Sequence, residues 1–123
     1  MKKRSLLCVA SILISFQALS VPDDFVNPLD FTGTKEERNA VIRYIERNVK
    51  DSLADIDVTD PMSLRLMEKA DLDAFKELTK ATDRDLFEKV LNDYCDELDV
   101  CDYNALNLMY KEQLKASKET LSW

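Results

Sequence analysis

The sequence of 123 residues contains no histidine, one glycine, three prolines and one tryptophan. Without histidine, the chain lacks the usual base partner of a nucleophilic serine or cysteine and the commonest nitrogen ligand of zinc. No G-x-S-x-G turn is present. Because turns between strands favour glycine, asparagine and proline, a chain this poor in glycine is predicted to be helical. No segment reaches roughly 18 consecutive apolar residues, so no transmembrane helix is predicted.

The first twenty residues have the three-part layout of a secretory signal peptide. A positive start precedes an uncharged stretch over residues 6–16, and the small residues Ala18 and Ser20 stand just before Val21. We predict cleavage after Ser20, and export to the periplasm or the medium of a Gram-negative bacterium. The alternatives are a buried N-terminal helix or an uncleaved anchor. Cys8 lies inside the apolar stretch rather than just after it, so no lipid anchor is predicted.

Removal of the signal makes the chain more acidic. Three of the 17 basic residues and none of the 24 acidic residues lie in the first twenty positions, which leaves 14 basic and 24 acidic residues and a net charge of −10. Such a charge disfavours binding to nucleic acid or anionic lipid and favours a cationic protein as partner. The alternative is that the charge only keeps a small protein soluble.

The predicted fold is all-α, a compact bundle of four to five helices with one disulfide-pinned helix hairpin. The predicted organisation is a signal peptide over 1–20, an extended leader over 21–33 and a single helical domain over 34–123. Leader residues Phe25, Leu29 or Phe31 are expected to lie on the core. Thr34 and Glu37 have the spacing of a capping box and predict a first helix over about 35–55.

Other helix starts are predicted where a side-chain oxygen can accept from free backbone N–H groups. A short helix is expected from Pro61 to about residue 69, a separate piece after Asp71, and the last helix after Asp102. The segment Thr82–Asp85 resembles a capping box. The predicted inner faces have mostly apolar residues at spacings of three and four. They comprise Val41, Tyr44, Ile45, Val49, Leu53 and Ile56, then Leu72, Phe75 and Leu78, then Leu86, Phe87, Val90, Leu91, Tyr94 and Leu98, and finally Leu106, Met109, Tyr110, Gln113, Leu114, Ser117 and Leu121.

Two cysteines, Cys95 and Cys101, remain after the predicted cleavage. In an exported protein an even count predicts a disulfide, here between the end of one helix and the start of the next. Free buried thiols are the alternative. A zinc site would need two further ligands, and the spacing does not match the C-x-x-C of a redox site.

The acidic stretches Asp55–Asp60 and Asp93–Asp102 do not follow the spacing of a calcium-binding EF-hand loop. Paired carboxylates of the kind that glycosidases use arise by chance in so acidic a chain. We therefore predict no catalytic residue, no metal ligand and no cofactor.

The candidate partner-binding residues lie near the second cysteine and at the C-terminus. Asp96, Glu97, Asp99 and Asp102 place four carboxylates within seven residues and are the predicted charge contacts. The predicted aromatic anchors are Tyr103 or Trp123. The alternatives are that the acidic segment is a solvated connector, and that Trp123 folds back on the core or forms a C-terminal recognition signal.

In general form the chain is similar to envelope immunity proteins, which neutralise toxins delivered by neighbouring cells. It is also similar in form to small acid-stress chaperones of the periplasm. We predict a non-enzymatic protein-binding module of inhibitor or immunity type. The alternatives are an envelope stress or chaperone-like protein and a minor enzyme. With no histidine, an acid switch in this chain is expected to titrate near about pH 4 rather than about pH 6.

Overall fold

A computed structural model describes residues 21–123, and within this range the chain forms four α-helices and no strand. The predicted signal peptide, residues 1–20, lies outside the described residues. The helices are α1 (Lys35–Ala54), α2 (Pro61–Leu78), α3 (Arg84–Val90) and α4 (Tyr103–Lys118). A 3-10 turn at Pro28–Asp30 precedes them, and a π-helical segment, Leu91–Asp96, continues α3. None of these helices is both long enough and apolar enough to cross a membrane.

The start of α1 confirms the predicted capping signal. The Thr34 hydroxyl oxygen accepts a hydrogen bond from the Glu37 backbone N–H at 3.2 Å. The Glu37 carboxylate accepts from the Thr32 hydroxyl, from the Thr32 backbone N–H at 3.0 Å and from the Thr34 hydroxyl at 3.0 Å. The bond from the Glu37 N–H satisfies a backbone donor that a helix start leaves free. The bonds that Thr32, and then Thr34, donate to the carboxylate lower the pKa of Glu37.

Helix α2 corrects the predicted break near residue 69. Asp60 caps the helix by accepting from the Ser63 backbone N–H at 2.8 Å, and Pro61 occupies the first helical position, as predicted. The helix then runs without interruption to Leu78, so Asp71 lies inside it rather than at the start of a second piece. The prediction failed because an aspartate that can cap its own helix can also turn its carboxylate towards another element.

The last two helices start close to the predicted positions. Asp83, rather than Thr82, caps α3 by accepting from the Leu86 backbone N–H at 3.0 Å. Asp102 caps α4, as predicted, by accepting from the Ala105 backbone N–H at 2.9 Å.

Helix α2 is the centre of the bundle, because it packs against both α1 and α4, while α3 packs against α4. The fully buried side chains come from all four helices. The largest of them are Tyr44, Phe75, Leu78, Phe87, Tyr103 and Leu106. Several residues of the predicted inner faces are instead exposed on the surface: Ile56, Leu98, Gln113, Ser117 and Leu121.

The leader completes the core. The Phe25 ring meets the Tyr44 ring edge-on, with centroids 5.4 Å apart, and lies 5.2 Å from the Tyr103 ring. Phe31 packs against Phe75 at 5.0 Å in the same edge-on manner. Two ion pairs at the surface hold this segment, Asp24 with Arg47 at 2.7 Å and Asp30 with Arg84 at 2.8 Å. The leader therefore bridges α1 and α3 rather than lying outside the bundle.

Candidate protein-binding site

The chain between α3 and α4 forms an acidic turn, defined here as residues 96–102. The Glu97 backbone N–H donates to the Asn92 carbonyl at 3.1 Å, five residues back, and the Val100 N–H donates to the Tyr94 carbonyl at 2.7 Å. Asp99 adopts the left-handed backbone conformation, with φ of 56°. Aspartate and asparagine tolerate this conformation better than most residues, which explains an acidic residue at the reversal of the chain.

The predicted disulfide is present and closes the acidic turn. Cys95 and Cys101 are bonded, with Cα atoms 4.5 Å apart, and both are buried. The Tyr44 hydroxyl, which comes from the middle of α1, donates to the Cys101 carbonyl at 2.6 Å. Burial raises the pKa of Tyr44, so its hydroxyl remains a donor over the whole physiological range. A covalent bond and a tertiary hydrogen bond thus fix the same end of the turn.

We expect the Cys95→Ala/Cys101→Ala double variant to lower the free energy of unfolding by about 2 kcal/mol, because a short cross-linked loop constrains the unfolded chain. Urea unfolding followed by circular dichroism measures the change, with reduced wild-type protein as the control. Alanine is preferred to serine because both positions are buried, and a hydroxyl would need a new partner there. Ready alkylation of either thiol in the unreduced protein would contradict the pairing.

The carboxylates of the acidic turn differ in exposure. Glu97 and Asp99 are exposed, whereas Asp96 is half-buried. Asp102 is also half-buried and already accepts the capping bond of α4, so it is less available to a partner than the other three. The side chain of Leu98 is 62% exposed between them. The turn therefore presents an apolar side chain flanked by carboxylates.

The charge of this region is offset only in part, by Lys89, which lies close enough to Glu97 for the two charges to interact. Residues 90–110 contain five acidic residues and neither lysine nor arginine. Lys89, the nearest preceding cation, pairs with Asp93 at 2.9 Å. Within residues 21–123, Asp96, Glu97 and Asp99 take part in no ion pair. The turn therefore projects a negative field that a cationic surface can neutralise.

The position of Tyr103 in the structure corrects its predicted role as an aromatic anchor. Its side chain is 0% exposed, and its hydroxyl donates to the Val26 carbonyl at 2.8 Å while accepting from the Val26 N–H at 3.2 Å. Burial raises the pKa of Tyr103. The ring is a core residue that fastens the leader, so it is not an aromatic anchor for a partner. The sequence pattern could not separate these roles, because Tyr103 directly follows the capping residue Asp102 at the edge of the acidic turn.

Trp123 is fully exposed and does not fold back on the core. It lies five residues beyond the end of α4, whereas the acidic turn lies at the start of that helix. Because a helix of 16 residues is about 24 Å long, the two candidate contacts lie at opposite ends of α4. They do not form one site.

Asp71 is a feature that the sequence analysis missed. It lies on the buried side of α2, is 2% exposed, and accepts from the Asn104 backbone N–H of α4 at 2.8 Å through Oδ1. Its Oδ2 has no hydrogen-bond partner among the described residues. Burial, reinforced by the nearby Asp102 charge, raises the pKa of Asp71 to about 6. Its spacing from Ala74, Phe75 and Leu78 would have revealed this position had α2 been read as one helix.

Among the described residues, no group of three or more cysteine or acidic side chains is arranged to hold a metal ion. The other acidic stretch, Asp55–Asp60, forms the connection between α1 and α2. Within it, Asp57 takes the left-handed backbone conformation and Asp60 caps α2.

In comparisons with protein-family models, with curated proteins and with solved structures, the chain matches none of them.

Proposed function

We propose that this chain is an exported, non-enzymatic binding module whose acidic turn recognises a cationic protein, as an inhibitor or immunity factor does. The observation that carries the proposal is the combination of unpaired charge and a fixed backbone in one turn. Glu97 and Asp99 are exposed on a segment that a disulfide and the Tyr44 hydroxyl both hold.

A fixed turn is suited to binding, because ordering a flexible segment costs conformational free energy that subtracts from affinity. The exposed Leu98 supplies an apolar contact between the charged side chains of Glu97 and Asp99. Charged groups around such a contact raise the rate of association and select against partners of the same sign.

The test compares two charge-neutralising pairs in the mature protein. We expect Glu97→Gln/Asp99→Asn to weaken binding to any partner captured from envelope extract, mainly through a slower association rate. Salt at 0.5 M should also slow association of the wild-type protein, because at roughly this concentration charge interactions extend only a few ångströms. The matched control is Glu36→Gln/Glu112→Gln, which removes the same charge from exposed positions in α1 and α4. Glu37 is unsuitable as a control because its carboxylate closes the cap of α1.

Neither pair alters a buried side chain, so each should change the free energy of unfolding by only about ±0.5 kcal/mol. Surface plasmon resonance measures the association rates. If the two pairs weaken binding equally, bulk charge alone would be responsible and the acidic turn would be a connector.

The alternative, an envelope stress or chaperone-like protein, is favoured by a different surface. Ile56, Met62, Leu66 and Met67 are all exposed around the start of α2. Flexible methionines suit variable apolar clients. This alternative predicts that Met62→Ser/Leu66→Ser abolishes suppression of aggregation of an unfolded client, while the Glu97/Asp99 pair leaves it unchanged. The proposed module predicts no such suppression.

A further inference from the structure

A groove runs between α1 and α2, on a surface that the acidic turn does not share. It consists of two depressions of about 230 Å³ and about 420 Å³, and both are bordered by Ile42 and Leu72. Phe31 and Phe75 line the larger depression and Ile45 lines the smaller one. Together the depressions fall within the size range of small-molecule sites, which are mostly apolar with a few placed polar groups.

One end of the groove carries the opposite charge to the rest of the protein. Arg38 and Lys76 border the larger depression, and no acidic residue does. Within the described part of the chain, neither cation takes part in an ion pair. In the smaller depression, Arg65 is paired with Glu68 at 2.8 Å. Lys69 and Glu46 also border it, so its formal charges balance. The larger depression is therefore the end of the groove with a net positive charge, in a protein that is otherwise strongly acidic.

We propose that this groove binds a free medium-chain fatty acid. The carboxylate lies between Arg38 and Lys76, and the alkyl chain extends over Ile42 and Leu72 towards Ile45. Eight residues of α1 separate Arg38 from Glu46 at the far end, which corresponds to about 12 Å of groove. A linear amphiphile with one anionic head matches both the length of the groove and its single end of net positive charge.

The shape of the groove favours a free fatty acid over a membrane surface. Val41, Ile45 and Phe75 are buried, and Leu72 is half-buried, so the apolar floor is recessed between the helices. Ile42 is the one exposed apolar side chain in this lining, at 42%. Membrane-surface helices instead project an apolar face outward into the lipid.

The experiment titrates decanoate, below its aggregation concentration, into isotopically labelled mature protein. We expect saturable shifts of the backbone amide signals of Ile42, Leu72 and Lys76. Decylamine and decanol, which carry the same alkyl chain, are expected to bind at least tenfold more weakly. Arg38→Gln/Lys76→Gln should weaken decanoate binding at least tenfold. The control Arg43→Gln/Lys80→Gln removes the same charge from exposed positions outside the groove and should change affinity less than twofold.

Ile42→Asp tests the tail contact separately: it should abolish decanoate binding, and its circular dichroism spectrum should match that of the wild type because Ile42 is exposed. Equal binding of decanoate, decylamine and decanol would overturn the proposal, as would equal effects of the two cation pairs. The proposal would also be overturned if decanoate did not bind but phosphatidylglycerol vesicles did, with a dependence on Arg38 and Lys76. The groove would then bind a membrane surface rather than a free fatty acid.

Discussion

Between pH 6 and pH 4, the free energy of unfolding of the wild-type protein is expected to rise relative to that of Asp71→Asn by roughly 2 kcal/mol. The pKa of Asp71 in the folded protein is raised to about 6, above its ordinary value of 3.8, chiefly because the carboxyl group is buried. Between these values the folded state binds a proton that the unfolded state lacks. Stability from this residue is therefore gained as the pH falls, and lost as it rises through about 6.

Asparagine at position 71 keeps an oxygen that can accept from the Asn104 N–H but cannot ionise. Urea unfolding at several pH values measures both proteins, and Asp73→Asn, an exposed position in the same helix, is the control. The carboxylates of Glu37, Asp60 and Glu77 have lowered pKa values because they accept hydrogen bonds, and they act in the opposite direction at more acidic pH. They are present in all three proteins, so the difference isolates Asp71. Parallel profiles for wild type and Asp71→Asn would contradict the assignment.

The direction of this pH dependence is relevant to the alternative of an envelope stress protein. An acid-triggered opening needs groups whose protonation destabilises the folded state, whereas protonation of Asp71 stabilises it. From the sequence, titration was expected near about pH 4 because histidine is absent. That expectation overlooked how far burial can raise the pKa of a carboxyl group.

Phe25→Ala is expected to lower the free energy of unfolding by about 3 kcal/mol, near the lower end of the range for phenylalanine truncation because the ring is only partly buried. The ring fills the space between Tyr44 and Tyr103, so its loss leaves a cavity between α1 and α4. Urea unfolding followed by circular dichroism measures the change.

Leu121→Ala is the matched control, since that side chain is fully exposed and its removal should change stability by no more than about 0.5 kcal/mol. A loss below about 1 kcal/mol for Phe25→Ala would mean that the leader packs only loosely and is not part of the core.

The helix starts were predictable where the signal was local. Thr34, Asp60 and Asp102 each cap the helix that directly follows them, and the disulfide followed from two cysteines near one predicted connection. Asp71 shows where this reasoning fails, because its carboxylate serves Asn104, 33 residues further along the chain. Local patterns identify an acceptor but not the donor that tertiary packing brings to it.

The two candidate sites, the acidic turn and the groove, were not equally predictable from the sequence. The acidic turn is contiguous in the sequence, so its charge was visible without a structure. The groove was not visible, because Arg38 and Lys76 come from separate antiparallel helices. Tyr103 and Leu98 were both misassigned, one to the surface and one to the core. Their exposure depends on how the turn reverses after the π-helical segment, which periodicity alone does not encode.

The position of Trp123 has a practical consequence for measuring this protein. It is the only tryptophan of the chain, and its indole ring is already surrounded by water in the folded state. Its fluorescence should therefore change little when the helices melt, and a flat emission trace in urea would not indicate a stable fold. The buried rings of Tyr44 and Tyr103 are the native chromophores whose near-ultraviolet signal reports on core packing.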